Sequence, residues 1–239
     1  VSSPVPRSLR LAALAALFAA APAPAGFFPG TTLDGPNGDV LRDGGADLAR
    51  DGTGTVVYVK RAGGIEHVFA VRMVDGAWTA PEQLDAGLLL PSSEPTVGVA
   101  NNGAAVVTFL NNGTVYATLR RNGSGGWSVP AAVADNAATP VVDLSVNGVG
   151  YVVWTSAGDV RAARLDRTGT AFVPLAAPLD IEPGADAGSG TGRPDVAVAA
   201  DGTALVAWTE TGRVYARRLL HTGLSQYPQQ LDVAEFEGH

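Results

Sequence analysis

The chain of 239 residues contains no cysteine, which excludes disulfides and thiolate metal sites. Charge is sparse, at 16% of residues, and Lys60 is the single lysine among sixteen basic residues. The net charge of −7 lacks the basic footprint that duplex nucleic acid and anionic membrane surfaces select. Histidine occurs three times, at His67, His221 and His239. No H-E-x-x-H or H-x-E pattern surrounds them, so zinc catalysis has no ligand set. No G-x-S-x-G elbow is present. Helix is disfavoured after Ala21, because glycine recurs every few residues and no long segment keeps a 3.6-residue period.

The chain does have apolar residues, at 46%, with 30 glycines and 16 prolines. Low charge with this apolar content argues against global disorder. Glycine and proline punctuate many short elements. At the N-terminus Arg7 and Arg10 precede an unbroken apolar run over residues 11–21. Ala23-Pro24-Ala25 then offers a small-residue cleavage site. The run is shorter than the roughly 20 residues a spanning helix needs. Residues 1–25 are therefore expected to be a cleaved signal peptide, and the mature chain to be secreted or held at the cell surface without a membrane span.

Four segments share one template. The first carries DGTGTVVY (51–58), VFAVR (68–72) and WTAP (78–81). The second carries NGAAVVTF (102–109), VYATL (115–119) and WSVP (127–130). The third carries NGVGYVVW (147–154), VRAAR (160–164) and FVP (172–174). The fourth carries DGTALVAW (201–208), VYARR (214–218) and YP (227–228). Six residues after each template glycine stands an aromatic: Tyr58, Phe109, Trp154 or Trp208. Eight residues before it stands Pro95, Pro140 or Pro194, with Gly44 in the first copy. The glycines Gly52, Gly103, Gly148 and Gly202 give a period of the length that repeat architectures use.

Asp-Gly or Asn-Gly between two apolar runs signals a hairpin with a type I′ turn. PTVGVA (95–100) and AAVVTF (104–109) are expected to pair in this way. Two further turns add a third and a fourth strand, so each copy reads as a four-stranded antiparallel meander. The second strand is apolar nearly throughout, as in Leu205-Val206-Ala207-Trp208, the pattern of a strand buried on both faces. Radial stacking of sheets around an axis buries both faces and protects the edges. The four aromatics are expected to fill the gaps between neighbouring sheets.

The pattern P-x-V-x-(V/L)-x-x-(D/N)-G-x-x-x-V-x-aromatic, followed by V-x-A-x-R, resembles repeats of secreted bacterial β-propellers of the sialidase-like kind, over about residues 44–232. The resemblance implies an all-β propeller of four-stranded blades, at about 44–86, 94–134, 139–180 and 193–232. It departs from the family's enzymes in having no S-x-D-x-G-x-x-W box at the turn before Trp78, Trp127 or Phe172. WD dipeptides and a recurring Gly-Gly doublet are also missing. Residues 26–43 resemble a fourth strand, since Phe28-Pro29 and Leu33-Asp34 repeat the order of Trp78 to Asp85. That segment is expected to be a strand that closes the ring. Four blades is the low end for a propeller, so the reading expects further blades beyond His239.

No catalytic, cofactor-binding or metal-binding residue set emerges. Arg72, Arg164 and Arg218 share one repeat position, so the repeat explains them better than a sialidase-type arginine cluster does. Asp180, Glu182 and Asp186 form an acidic loop read as solvated, without EF-hand spacing for calcium. Residues 188–192, GSGTG, read as a linker and not a phosphate cradle, since no helix follows. Asn112-Gly113-Thr114 and Asn122-Gly123-Ser124 are glycosylation sequons in form and ordinary turns in composition. The expected function is an extracellular binding or scaffold module for a glycan or protein, with its ligand surface on loops at one mouth. The alternative is a glycoside hydrolase or lyase with its site in the central channel. Acids and arginines converging there would favour the enzyme.

Overall fold

The computed structural model describes residues 30–122, 125–182, 184, 186–222 and 226–232. The expected signal peptide, its cleavage site and His239 lie outside the described residues. Every described strand belongs to the compact unit that begins at Leu33.

Four antiparallel sheets follow one another in chain order. The first blade holds β1 (Val40–Leu48), β2 (Gly54–Ala62), β3 (Ile65–Val74), and a fourth edge in two pieces, β4 (Ala77–Trp78) and β5 (Glu82–Gln83). The second holds β6 (Ser92–Ala100), β7 (Ala104–Asn111), β8 (Thr114–Arg120) and β9 (Ala131–Ala134). The third holds β10 (Ala138–Leu144), β11 (Gly150–Ser156), β12 (Asp159–Leu165) and β13 (Val173–Pro174). The fourth holds β14 (Asp195–Val198), β15 (Ala204–Glu210), β16 (Arg213–Leu219) and β17 (Gln229–Gln230). Each is a meander, and the first strands β1, β6, β10 and β14 pack side by side in sequence.

The turn chemistry differs from the expectation. Positive φ at both loop residues marks the second turn of every blade: Gly63-Gly64, Asn112-Gly113, Ala157-Gly158 and Thr211-Gly212. These two-residue loops match the right-handed twist of the strands they join. The Asp-Gly and Asn-Gly turns are one residue longer. In three of them only glycine has positive φ, at Gly52, Gly148 and Gly202, and its N–H closes the turn onto Ala49, Ser145 or Ala199. Asn102-Gly103 alone of these has positive φ at both residues.

The chain from Gly30 to Asp39 makes turns and bends where a strand was expected, and the first strand starts at Val40 instead of residue 44. Asp34 accepts from the Tyr58 hydroxyl at 2.7 Å and pairs with Lys60 at 2.8 Å. These two partners tie the turn to β2.

The cores lie between blades. Val57, Val68 and Phe109 join the first two blades, Val106, Leu119, Leu144 and Trp154 the middle two, and Val153, Val206 and Trp208 the last two. The repeat aromatics are buried, as expected. Tyr58, Phe109 and Trp208 also stack on the residue opposite them in the third strand, at 5.9–6.1 Å between ring centres; such pairs add about 0.5–1.5 kcal/mol beyond area burial. The fourth blade departs from the double-sided pattern: Leu205 is 53% exposed, because no described blade covers that face.

Inner strands are joined in two ways. Asp47 of β1 accepts the Val99 N–H of β6 at 2.6 Å, and Asp143 of β10 accepts the Val198 N–H of β14 at 2.6 Å. At the middle joint the equivalent residue is Gly98, where a Cβ would stand 2.9 Å from the Leu144 nitrogen. Only glycine permits that approach. Gly44, the first-copy exception to the repeat proline, has a similar reason: a Cβ there would meet the Pro95 ring at 2.3 Å.

Candidate functional site

The starts of the inner strands converge on one cavity of about 550 Å³, inside the range of small-ligand sites. Its wall takes residues 42–45 from β1, 93–96 from β6, 139–141 from β10, and Arg193 ahead of β14. All four blades contribute. The repeat position of Gly44, Pro95 and Pro140 lies in this wall. The residue before it is Asp43, Glu94, Thr139 and, in the fourth blade, Arg193.

Local structure explains why polar side chains gather there. Proline cannot donate to the ladder, so it sits at irregular points of a strand. Register shifts fall between Asp43 and Gly45, Ser93 and Thr96, and Ala138 and Val141. Bulges of this kind leave residues unpaired and re-aim their side chains. Glu94 and Thr139 carry φ of 50° and 53°. That region costs a non-glycine residue roughly 1–2 kcal/mol, and such strain clusters at functional sites.

The pocket holds both signs of charge. Arg193 Nη2 lies 3.2 Å from Glu94 Oε2, linking the fourth blade to the second. Arg42 pairs with Glu66 of β3. Asp43 is exposed and has no side-chain partner among the described residues. Hydroxyl pairs brace the wall: Thr96 with Thr108 at 2.9 Å, and Thr139 with Thr155 at 3.0 Å.

The side chains singled out in the sequence lie elsewhere. His67 Nδ1 contacts Asp85 at 3.1 Å, and the His221 carbonyl accepts from Arg164. Arg72 pairs with Glu82, Arg164 with Asp166, and Arg218 is exposed on the fourth blade. In the acidic loop Asp180 accepts the Val160 N–H at 2.8 Å and Asp186 the Thr211 N–H at 2.8 Å. Burial raises the Asp180 pKa despite that N–H. The Glu182 N–H donates to buried Glu210 at 3.1 Å; Pro183 and Ala185 lie outside the described residues. Among the described residues no group of three acids or histidines is placed to hold a metal ion. Asn112 occupies a tight turn, and Gly123 and Ser124 of the second sequon lie outside the described residues.

Sequence reasoning missed Arg42, Asp43, Glu94 and Arg193. The signal was present: the residue before the repeat proline position is polar in every copy, at the start of an otherwise apolar strand.

No protein-family model matches the chain, and no curated protein matches it in sequence. Solved structures do match. A protein of unknown function from Dyadobacter fermentans is 11% identical with a TM-score of 0.56, over 82% of this chain and 70% of that one. A polysaccharide lyase, an ulvan lyase, is 10% identical with a TM-score of 0.51, over 78% of this chain and 54% of that one. The chain therefore spans about half the length of the lyase. Likeness at these identities concerns fold, and it agrees with the four stacked meanders: the chain is an all-β propeller built of four-stranded antiparallel blades.

Proposed function

We propose that the protein is an exported, non-catalytic glycan-binding propeller module that takes its ligand in the axial pocket. The observation that carries this reading is the convergence of Arg42, Asp43, Glu94 and Arg193 from three blades on one cavity of about 550 Å³. Carboxylates accept hydrogen bonds from sugar hydroxyls and guanidinium groups donate to them, and charge makes such bonds roughly twice as strong as neutral ones. Arg193 and Glu94 engage each other, as do Arg42 and Glu66. These ion pairs place the charged groups at the pocket wall before ligand arrives. Export rests on Arg7, Arg10, the apolar run and Ala23-Pro24-Ala25. Kinship with sialidase-like repeats rests on the residue pattern and belongs to the same proposal.

The non-catalytic part rests on the carboxylates. Glycoside hydrolysis uses two acting together across the bond. Here Glu94 is held by Arg193, and Asp43 alone is unengaged. The rival is a carbohydrate-active enzyme, favoured by the same convergence of acids and arginines and by the fold shared with a polysaccharide lyase. A glycan array followed by calorimetry on the purified chain tests the proposal. Asp43→Asn and Arg193→Ala are expected to weaken the best glycan at least tenfold. Binding indifferent to both substitutions sinks the pocket assignment. Release of reducing ends or unsaturated sugars by the pure protein makes it an enzyme.

A further inference from the structure

A second cavity of about 640 Å³ lies between the second and third blades. It is lined by residues 100–102 and 146–148, where β6 and β10 end, and by Arg121, Asn122 and Arg167. Inner strands β6 and β10 run in the same direction, as the Asn101 N–H to Val146 carbonyl bond at matching repeat positions shows. The axial pocket sits at their starts, so on β6 four residue steps, from Thr96 to Ala100, separate the two cavities, about 13 Å of strand.

No Asp or Glu lines this cavity, although acids outnumber bases in the chain by 23 to 16. Arg121 is partly buried, and its Nε and Nη2 are shielded from solvent without a hydrogen-bond partner among the described residues. Nη1 donates to the Arg167 carbonyl at 3.3 Å. Burial, with no acid to offset it, pulls the Arg121 pKa below its usual value. The Arg167 guanidinium is exposed and has no partner among the described residues. Asp166, next to Arg167 in sequence, pairs with Arg164, and Asp51 accepts the N–H of the lining residue Asn102. A partly buried arginine with no counter-charge among the described residues is unfavourable unless something else supplies the charge.

The repeat gives an independent reason to look here. At the end of the third strand the other blades carry Met73-Val74, Leu165-Asp166 and Leu219-Leu220. The second blade carries Arg120-Arg121. Periodic residues are explained by the repeat, and this departure is not.

We propose that the cleft between the second and third blades binds an oxyanion, the carboxylate or sulfate group of an acidic glycan. Arg121 and Arg167 supply the charge. The side chains of Asn101 and Asn102 supply neutral donors and acceptors for the sugar that bears it, while Asn147 is engaged by Ser145 and Ala200. Guanidinium groups suit both anions, whose oxygens match their planar array of N–H donors. That the carrier is a glycan rests on the function proposed above; the oxyanion site itself does not.

The test is titration of the full chain with three probes: a galacturonate tetrasaccharide, the same oligomer with its carboxyls reduced to alcohols, and inorganic sulfate. The acidic oligomer is expected to bind at least tenfold more tightly than the reduced one, and less tightly as salt rises. Arg121→Met and Arg167→Ala are each expected to remove at least tenfold of that affinity. Arg121→Met should leave the melting temperature unchanged or higher, because it deletes a partly buried charge with no acid beside it among the described residues. Arg218→Gln, which removes a charge from the fourth blade, controls for net charge. Sulfate binding that depends on Arg121, without oligomer binding, keeps the oxyanion site and assigns it to free ions. Persistence of the sulfate response in Asp43→Asn separates this site from the axial pocket. Equal binding of the acidic and reduced oligomers, or acidic binding unchanged by Arg121→Met and Arg167→Ala, overturns the proposal.

Discussion

The outer joints of the propeller and its middle joint solve one problem differently. Between the first and second blades, and between the third and fourth, an aspartate reaches across to the next inner strand's N–H. Between the second and third blades Gly98 lets the backbones close in directly. The clipped joints add a charge-assisted hydrogen bond and desolvate a carboxylate to make it. The glycine joint has neither the bond nor the desolvation, and relies on contact alone. The oxyanion cleft lies at the end of the glycine joint. An interface without inner-strand carboxylates leaves an arginine there with no acid to meet.

If the joints differ only in how the inner strands meet, their apolar cores should be equivalent. Phe109→Ala, Trp154→Ala and Trp208→Ala each empty one core and should each cost about 3–5 kcal/mol. Denaturant melts of the three variants check this. A loss below about 1 kcal/mol at any one would show that its joint is loosely packed. Trp154 is the most informative, since it faces Arg161 where the other two face an aromatic.

Gly98→Ala sharpens the contrast. Its added carbon meets the backbone of the third blade, which has little room to move, so overpacking of about 1–3 kcal/mol is expected. Ala197→Val at the equivalent point of the fourth blade should change stability by less than about 0.5 kcal/mol, because the site is exposed. Similar losses at both positions would mean that Gly98 is not special. Asp47→Ala removes a clip and leaves the Val99 N–H unpaired in a partly buried place. A cost of about 1–2 kcal/mol follows, read as a lower urea midpoint at pH 7.

The meander, the blade order and the buried aromatics were legible because each rests on a pattern that recurs at fixed spacing. Tyr58, Phe109, Trp154 and Trp208 could be placed from sequence alone. The turn types were misassigned, because Asp51-Gly52 and Gly63-Gly64 differ by one loop residue that no local propensity reveals. The axial pocket was hidden for a geometric reason. Arg42, Glu94 and Arg193 lie far apart in sequence and come together only at the starts of the inner strands. Arg121 was hidden for the opposite reason: attention to the repeat directs the eye to what recurs, and this residue does not.

Acid should act on the two clipped joints in opposite directions. In the first joint Asp51 accepts from the Thr53 hydroxyl and N–H and from the Asn102 N–H. The Thr53 hydroxyl and then the Asn102 N–H hold its pKa below the usual 3.8. Its contribution is complete above that value and is lost as pH falls through the lowered folded pKa. In the third joint burial raises the Asp143 pKa above 3.8, against the N–H bonds from Val198 and Leu144 that pull it down. Its contribution is complete below 3.8 and is lost as pH rises through the raised folded pKa. Asp51→Asn should therefore flatten the loss of stability on the acid side. Asp143→Asn should remove an opposing gain and make that loss steeper. Urea melts at pH 3 to 7 on the two variants and the parent chain read both slopes. Slopes that change in the same direction would show that Asp51 and Asp143 titrate alike and that burial does not distinguish them.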